Sequence, residues 1–309
     1  MQLYVKTPLI DLNLDRGKTV CCKMEAYQPS GSFKLRGIEN LMRCAISEGA
    51  EKFVSSSGGN AGLSAAYAGR KLAAKVTVVV PETTPSFIVK RLEGEGARAI
   101  VHGESWDESH TYALSLMERE NAAYVPPFDH PKLWEGHATI VDELKEQCGV
   151  QPDLIVLSVG GGGLLCGVVE GLARNGWEDT PILAVETEGA ASLYKSVEAD
   201  TLITLDKIDS IATSLGAKRV AQQALAYAKE YNVIPYLVTD EAAMRSCARF
   251  ADASRTLVEP ACGASLSVLY DDPRITDTYR NIVVIVCGGA IVNLKKITEW
   301  RNMRSKTDR

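Results

Sequence analysis

Residues Leu154–Leu172 read LIVLSVGGGGLLCGVVEGL. The segment LIVLSV is a continuous apolar run rather than an alternating one, the pattern of a strand buried on both faces of a parallel sheet. Four glycines follow, Gly160–Gly163, and then a stretch with helical patterning. A strand–glycine loop–helix junction exposes several backbone N–H groups beside a helix N-terminus, and bare glycines let a phosphate come close. A tight turn is the alternative, although a turn rarely needs four glycines in a row. The loop is not a Walker loop, because no Gly-Lys-Ser/Thr follows, and it lacks the GxGxxG spacing of a dinucleotide site.

Similar runs occur on either side. Lys75–Val80, Arg98–His102, Ile182–Glu186 and Ile282–Cys287 read as further buried strands beside Leu154–Val159. Ser105–Asn121, Ala217–Tyr231 and Asp240–Ala253 have helical spacing. Alternation of this kind predicts an α/β fold with twisted, mostly parallel sheets flanked by helices. The 309 residues suit two domains at about 150 residues each. One series of strand–helix units precedes residue 135 and another follows residue 150, which implies two sheets with a cleft between them.

Composition narrows the function. Hydrophobic residues make up 46% and charged residues 24%, which excludes a disordered or fibrous chain. The net charge of -5 offers no basic surplus for nucleic acid. The N-terminus lacks a signal-peptide pattern, and the glycine-broken run Ile155–Val169 is too short to span a bilayer, so no membrane partner is expected. The eight cysteines form no CxxC pair and point to a reduced cytoplasmic setting. The four histidines, His102, His110, His130 and His137, have no ligand spacing and are expected in surface or structural roles.

Two further segments carry chemistry. Ser55–Gly62 (SSSGGNAG) leads into an Ala-rich helix. It could simply cap that helix, but a cap needs one polar residue, and exposed N–H groups there would suit a carboxylate. In Pro29–Gly37 (PSGSFKLRG), Lys34 stands among small residues. Most lysines are surface residues, yet a desolvated lysine is the usual Schiff-base nucleophile. Cys287, in VIVCGG, reads on its own as a buried packing thiol.

Taken in order, these segments resemble the fold type II pyridoxal-phosphate enzymes, the tryptophan synthase β-like group, and within it the animal-type L-serine dehydratases. PSGSFKLRG resembles the Schiff-base lysine motif, SSSGGNAG the substrate-carboxylate loop and SVGGGGLLCGVVEGL the phosphate loop. PPFDHPKLWEGHATIV (126–141), VEPACGA (258–264) and VIVCGG (284–289) also fit, and the likeness runs from about residue 5 to residue 298. It implies pyridoxal 5'-phosphate as cofactor. Lys34 would hold it covalently and later move the substrate's α-proton. Phe33 would pack against the ring, Asn60 would bond the ring hydroxyl oxygen, and Cys287 would face the pyridine nitrogen. Gly160, Gly161, Gly162 and Gly163 would hold the phosphate. Ser57, Gly58, Gly59, Asn60 and Ala61 would surround the substrate carboxylate. A monovalent cation such as K+ would be bound by Gly160, Glu186, Ala190, Ser192, Leu215 and Ala217, although Glu186 could instead end its strand in a salt bridge.

The same resemblance implies a large domain of residues 1–34 plus 136–309, a small domain of residues 35–135 carrying the substrate loop, and a homodimer. The implied reaction is β-elimination of a small amino acid: L-serine to pyruvate and ammonia, and L-threonine to 2-oxobutanoate. A neutral thiol at Cys287 supports a protonated ring nitrogen weakly, which favours elimination over transamination. Serine racemases and biosynthetic threonine dehydratases are the near alternatives. They usually carry His where Ala61 stands and Ser where Cys287 stands. A binding module that has lost catalysis would be expected to lack Lys34 or the glycine loop, and both are present.

Overall fold

Ten strands form two sheets in the computed structural model, which describes residues 1–12, 14 and 18–307. They are β1 (Leu9–Asp11), β2 (Thr19–Lys23), β3 (Lys52–Ser55), β4 (Lys75–Val80), β5 (Arg98–Val101), β6 (Ala123–Tyr124), β7 (Leu154–Ser158), β8 (Ile182–Thr187), β9 (Val233–Val238) and β10 (Asn281–Ile285). The larger sheet has the order β1-β2-β10-β7-β8-β9, and the smaller one β5-β4-β3-β6. Every pairing is parallel except β1 with β2. Parallel neighbours require crossovers, and helices supply them. Leu154, Ile155, Val156 and Leu157 are all fully buried, as a continuous apolar strand requires.

The expected strands stand with small shifts at their ends. β10 stops at Ile285 rather than Cys287 because the chain then turns toward another segment: Cys287 O accepts the Phe33 N–H at 3.0 Å. The pattern over Ala217–Tyr231 yields a helix only from Gln222 to Glu230. The residues before it are engaged elsewhere, with Lys218 O accepting Leu205 N–H and Ala221 N–H donating to Gly161 O. The short strands β1, β2, β3 and β6 carry no clear apolar run, and the apolar run of β9 (VIPYLV) lies within the stretch that follows the Ala217–Tyr231 pattern. β9 contains Pro235, which a sheet edge tolerates.

One polar cluster lies within the core. Arg36 pairs with Glu25 at 2.7 Å and with Glu143 at 2.7 Å, and Lys23 pairs with Glu143 at 2.5 Å. Two cations meet two anions, so the buried charge is balanced. The cluster ties β2 and the turn at Glu25 to the helices Lys34–Ser47 and Pro131–Gln147, and so fixes the first turn of the helix that begins with Lys34. Among the described residues no helix is long and apolar enough to cross a membrane.

Candidate active site

Lys34 opens its helix beside the chain that leaves β10. Ser32 forms an antiparallel bridge with Gly288, and Gly289 N–H donates to Gly31 O at 3.0 Å. Gly31 has φ +88° there, and a Cβ on it would lie 2.8 Å from the Ala290 Cβ, so a side chain is excluded twice over. This pairing brings Lys34 and Cys287, distant in sequence, to one place. Lys34 Nζ donates to Pro127 O and lies 5.0 Å from the centre of the Phe33 ring. Burial pushes its amine down to about 8, against the upward pull of Cys287 and Glu259.

The glycine loop crosses the end of β7. The helix Gly163–Arg174 begins inside it, capped by Gly162 at φ +88°. The N–H groups of a first helical turn have no acceptor within the helix and so face outward for an anion. The glycines also answer to the protein's own packing. A Cβ on Gly161 would lie 2.2 Å from the Phe128 ring, and one on Gly160 would lie 2.9 Å from Leu215 Cα.

The Ser55–Gly62 loop joins β3 to the helix Asn60–Leu72. The capping alternative fails, since the N-cap is Gly59 and no side chain bonds the first turn. Ser57 Oγ instead accepts Gly59 N–H at 3.3 Å, within the loop. A Cβ on Gly58 would meet Thr84 Oγ1 at 2.9 Å. Asn60 is buried; its Nδ2 donates to both carboxylate oxygens of Glu259 at 2.8 and 3.0 Å, and its Oδ1 is buried without a partner. Ala61 is buried in the helix that follows.

Cys287 is buried with its Sγ 3.3 Å from Cys262 Sγ and 3.5 Å from Ser158 Oγ. Cys262 Sγ in turn donates to Gly288 O at 2.9 Å and accepts Gly288 N–H at 3.1 Å, which fixes the turn after Cys287. On the neighbouring strand β8, next to the start of the glycine loop, Glu186 accepts N–H bonds from Leu193 at 2.9 Å and Tyr194 at 2.7 Å. Burial raises its carboxyl to about 7. Glu186 has no salt bridge among the described residues, and Ser192 Oγ is buried without a partner. Ala190 and Leu215 are buried nearby in short 3-10 turns, and Ala217 N–H donates to Leu215 O at 2.8 Å. No group of three or more His, Cys, Asp or Glu side chains clusters for a metal among the described residues.

The contacts of two residues escaped the sequence reading. Glu259 is fully buried against Asn60, and its carboxyl is raised by burial. The sequence places it in the VEPACGA motif, before Pro260 at the start of the helix Pro260–Asp271, without showing its contact with Asn60. His137 is also fully buried, with both ring nitrogens unpartnered and its ring centre 4.8 Å from that of Phe33 in a T-shaped contact. Nothing in its sequence neighbourhood signals that contact.

The donor set suits pyridoxal phosphate. It offers an enclosed amine of lowered basicity for an aldehyde, an open helix N-terminus for a phosphate, and unpartnered polar atoms on Ser32 and Asn60 for the remaining groups. The comparisons agree with that chemistry. Residues 1–288 match the family model described as pyridoxal-phosphate dependent enzyme. An L-serine dehydratase/L-threonine deaminase of Mus musculus is 45% identical over 308 residues, covering 96% of this chain and 94% of the relative. An L-serine dehydratase of Dictyostelium discoideum is 44% identical over 309 residues, covering 93% and 88%. The crystal structure of an L-serine ammonia-lyase from the fungus Rhizomucor miehei superposes with a TM-score of 0.93 at 37% identity, covering 98% of this chain and 99% of that one. With its fold, its buried lysine and its full-length relatives in agreement, this chain belongs to the pyridoxal-phosphate-dependent enzymes.

Proposed function

We propose that the chain is an L-serine dehydratase, an ammonia-lyase that converts L-serine to pyruvate and ammonia and L-threonine to 2-oxobutanoate. The observation that carries the reading is the Lys34 amine, lowered to about 8 and placed beside Phe33 and Cys287. A base of that strength is part neutral near neutral pH and can take a proton from Cα. The cofactor, when bound, supplies the electron sink that makes the α-proton acidic.

The chain's own residues do the rest. Lys34 holds the cofactor and exchanges the α-proton at Nζ. Phe33 would pack against the ring, Asn60 would address its hydroxyl oxygen and Cys287 its nitrogen. The backbone of Gly160, Gly161, Gly162 and Gly163 receives the phosphate. Ser57, Gly58, Gly59, Asn60 and Ala61 orient the substrate carboxylate, which sets the Cα–H and the β-hydroxyl in place. Cys287 presents a thiol where a carboxylate would support a ring cation, so it would give the ring nitrogen little support, which would favour loss of the β-hydroxyl.

The proposal extends to the surroundings of the site. K+ is assigned to the main-chain oxygens of Gly160, Ala190, Ser192, Leu215 and Ala217 with the Glu186 carboxylate. Residues 35–135, which hold the smaller sheet, form a small domain that closes on the large domain of residues 1–34 and 136–309. The enzyme works as a homodimer in the cytoplasm, a setting supported by eight free cysteines.

The test is NADH consumption in the presence of lactate dehydrogenase after L-serine is added to the cofactor-loaded protein. Steady consumption is expected, with L-threonine consumed in parallel by a 2-oxobutanoate assay. Release of D-serine without pyruvate would replace the dehydratase reading with a racemase.

A further inference from the structure

Behind the Ser55–Gly62 loop lies a closed cluster of hydroxyls around one imidazole. Ser56 Oγ is 3.1 Å from His110 Nδ1 and 2.8 Å from Tyr124 OH, and Tyr124 OH is 3.0 Å from the same Nδ1. The three residues come from three places: the loop after β3, the helix Trp106–Glu120 and β6. Ser56 is fully buried. Trp106, one helical turn before His110, stacks on the imidazole with ring centres 4.6 Å apart and planes 9° apart. That stack fixes the ring plane and aims Nδ1 at the two hydroxyls.

From this geometry we propose that His110 and Tyr124 are positioning residues that hold the Ser57–Asn60 loop in its substrate-binding shape through Ser56. The inference rests on the dehydratase reading, in which that loop receives the substrate carboxylate. Ser56 is peptide-bonded to Ser57, so a shift of one carries to the other. A Cβ on Gly62 would lie 1.9 Å from the Ser57 carbonyl oxygen, so the loop is wrapped against the helix that follows it. Ser55 Oγ adds a second tie by donating to Val125 O at 3.1 Å. On the exposed face of the helix bearing His110, Asp107 meets Lys218 at 3.4 Å. A single Nδ1 lone pair accepts one hydroxyl while the hydroxyls bond each other, so removing the imidazole leaves Ser56 and Tyr124 with one acceptor fewer in a partly buried place.

The experiment uses the cofactor-loaded enzyme and the variants His110→Ala, His110→Asn and Tyr124→Phe. His110→Ala is expected to raise KM for L-serine about tenfold. Its kcat should stay within about twofold of the wild type, and pyridoxal-phosphate affinity, read by absorbance titration, should be unchanged. Amide hydrogen exchange at Ser57–Ala61 should quicken in the same variant without substrate. His110→Asn places an acceptor near the Nδ1 position and should recover most of both effects. Tyr124→Phe should shift both in the same direction by less, and decides the matter if His110→Ala does not fold. The proposal is overturned if KM or exchange stays at the wild-type value, or if cofactor affinity and kcat fall along with KM and His110→Asn gives no recovery. The exchange measurement needs no turnover. A wild-type enzyme silent toward L-serine would therefore strike the dehydratase reading and leave exchange to decide the positioning role.

Discussion

At Lys34 the deciding quantity is solvation. An ordinary lysine stays charged to about pH 10.4 and makes a poor nucleophile at neutral pH. Enclosure brings this one to about 8, so its neutral fraction grows steeply between pH 7 and pH 9. The rate at which apoprotein takes up pyridoxal phosphate should therefore climb with pH and level off just above 8, as stopped-flow absorbance would show. A rate still climbing past pH 10 would mean an ordinary, solvated amine. Lys34, Phe33 and the glycines were legible in the sequence because each sits in a short contiguous motif. The contacts of Glu259 with Asn60 and of His110 with Ser56 were not, because only the fold brings those residues close.

Among the elements, the glycine loop shows how one sequence signal can answer two demands. The four glycines read as an opening for phosphate, and the structure adds that Phe128 and Leu215 pack where their side chains would be. Gly161→Ala should then destabilise the apoprotein itself by about 1–3 kcal/mol, measurable by urea denaturation without cofactor. Unchanged apoprotein stability with weakened cofactor binding would show that only the ligand needs the glycine. The capping alternative for Ser55–Gly62 could be settled only by structure, because polar residues before a helix look alike whether they bond its first turn or leave it open. The ends of β10 and of the Gln222–Glu230 helix were misplaced for a related reason. Local pattern extends each element, and long-range hydrogen bonds to Phe33 and Gly161 end it.

Across the whole molecule, alternating apolar runs and helical stretches were enough to predict a parallel α/β fold with two sheets. Their strand orders were not, since edge strands such as β1 and β6 are only three and two residues long and are specified by their neighbours. The charge cluster in the core was equally hidden, because Glu143 is far in sequence from Lys23, Glu25 and Arg36 and only the fold buries them together. Arg36→Met should leave Glu25 and Glu143 short of a partner and lower stability by about 3–5 kcal/mol, seen as a lower melting temperature. A melting temperature equal to the wild type would show that the cluster is dispensable to the fold.

The central claim is that Lys34 runs a pyridoxal-phosphate-dependent β-elimination of L-serine. The direct measurement compares pyruvate formation from L-serine by the wild type and by Lys34→Ala, each with pyridoxal phosphate added and each shown to be folded by circular dichroism. The predicted result is steady pyruvate release by the wild type and a loss of at least about a thousandfold in the variant, the scale expected when a catalytic base is removed. Comparable pyruvate release by folded Lys34→Ala, or none from the cofactor-loaded wild type, would contradict it.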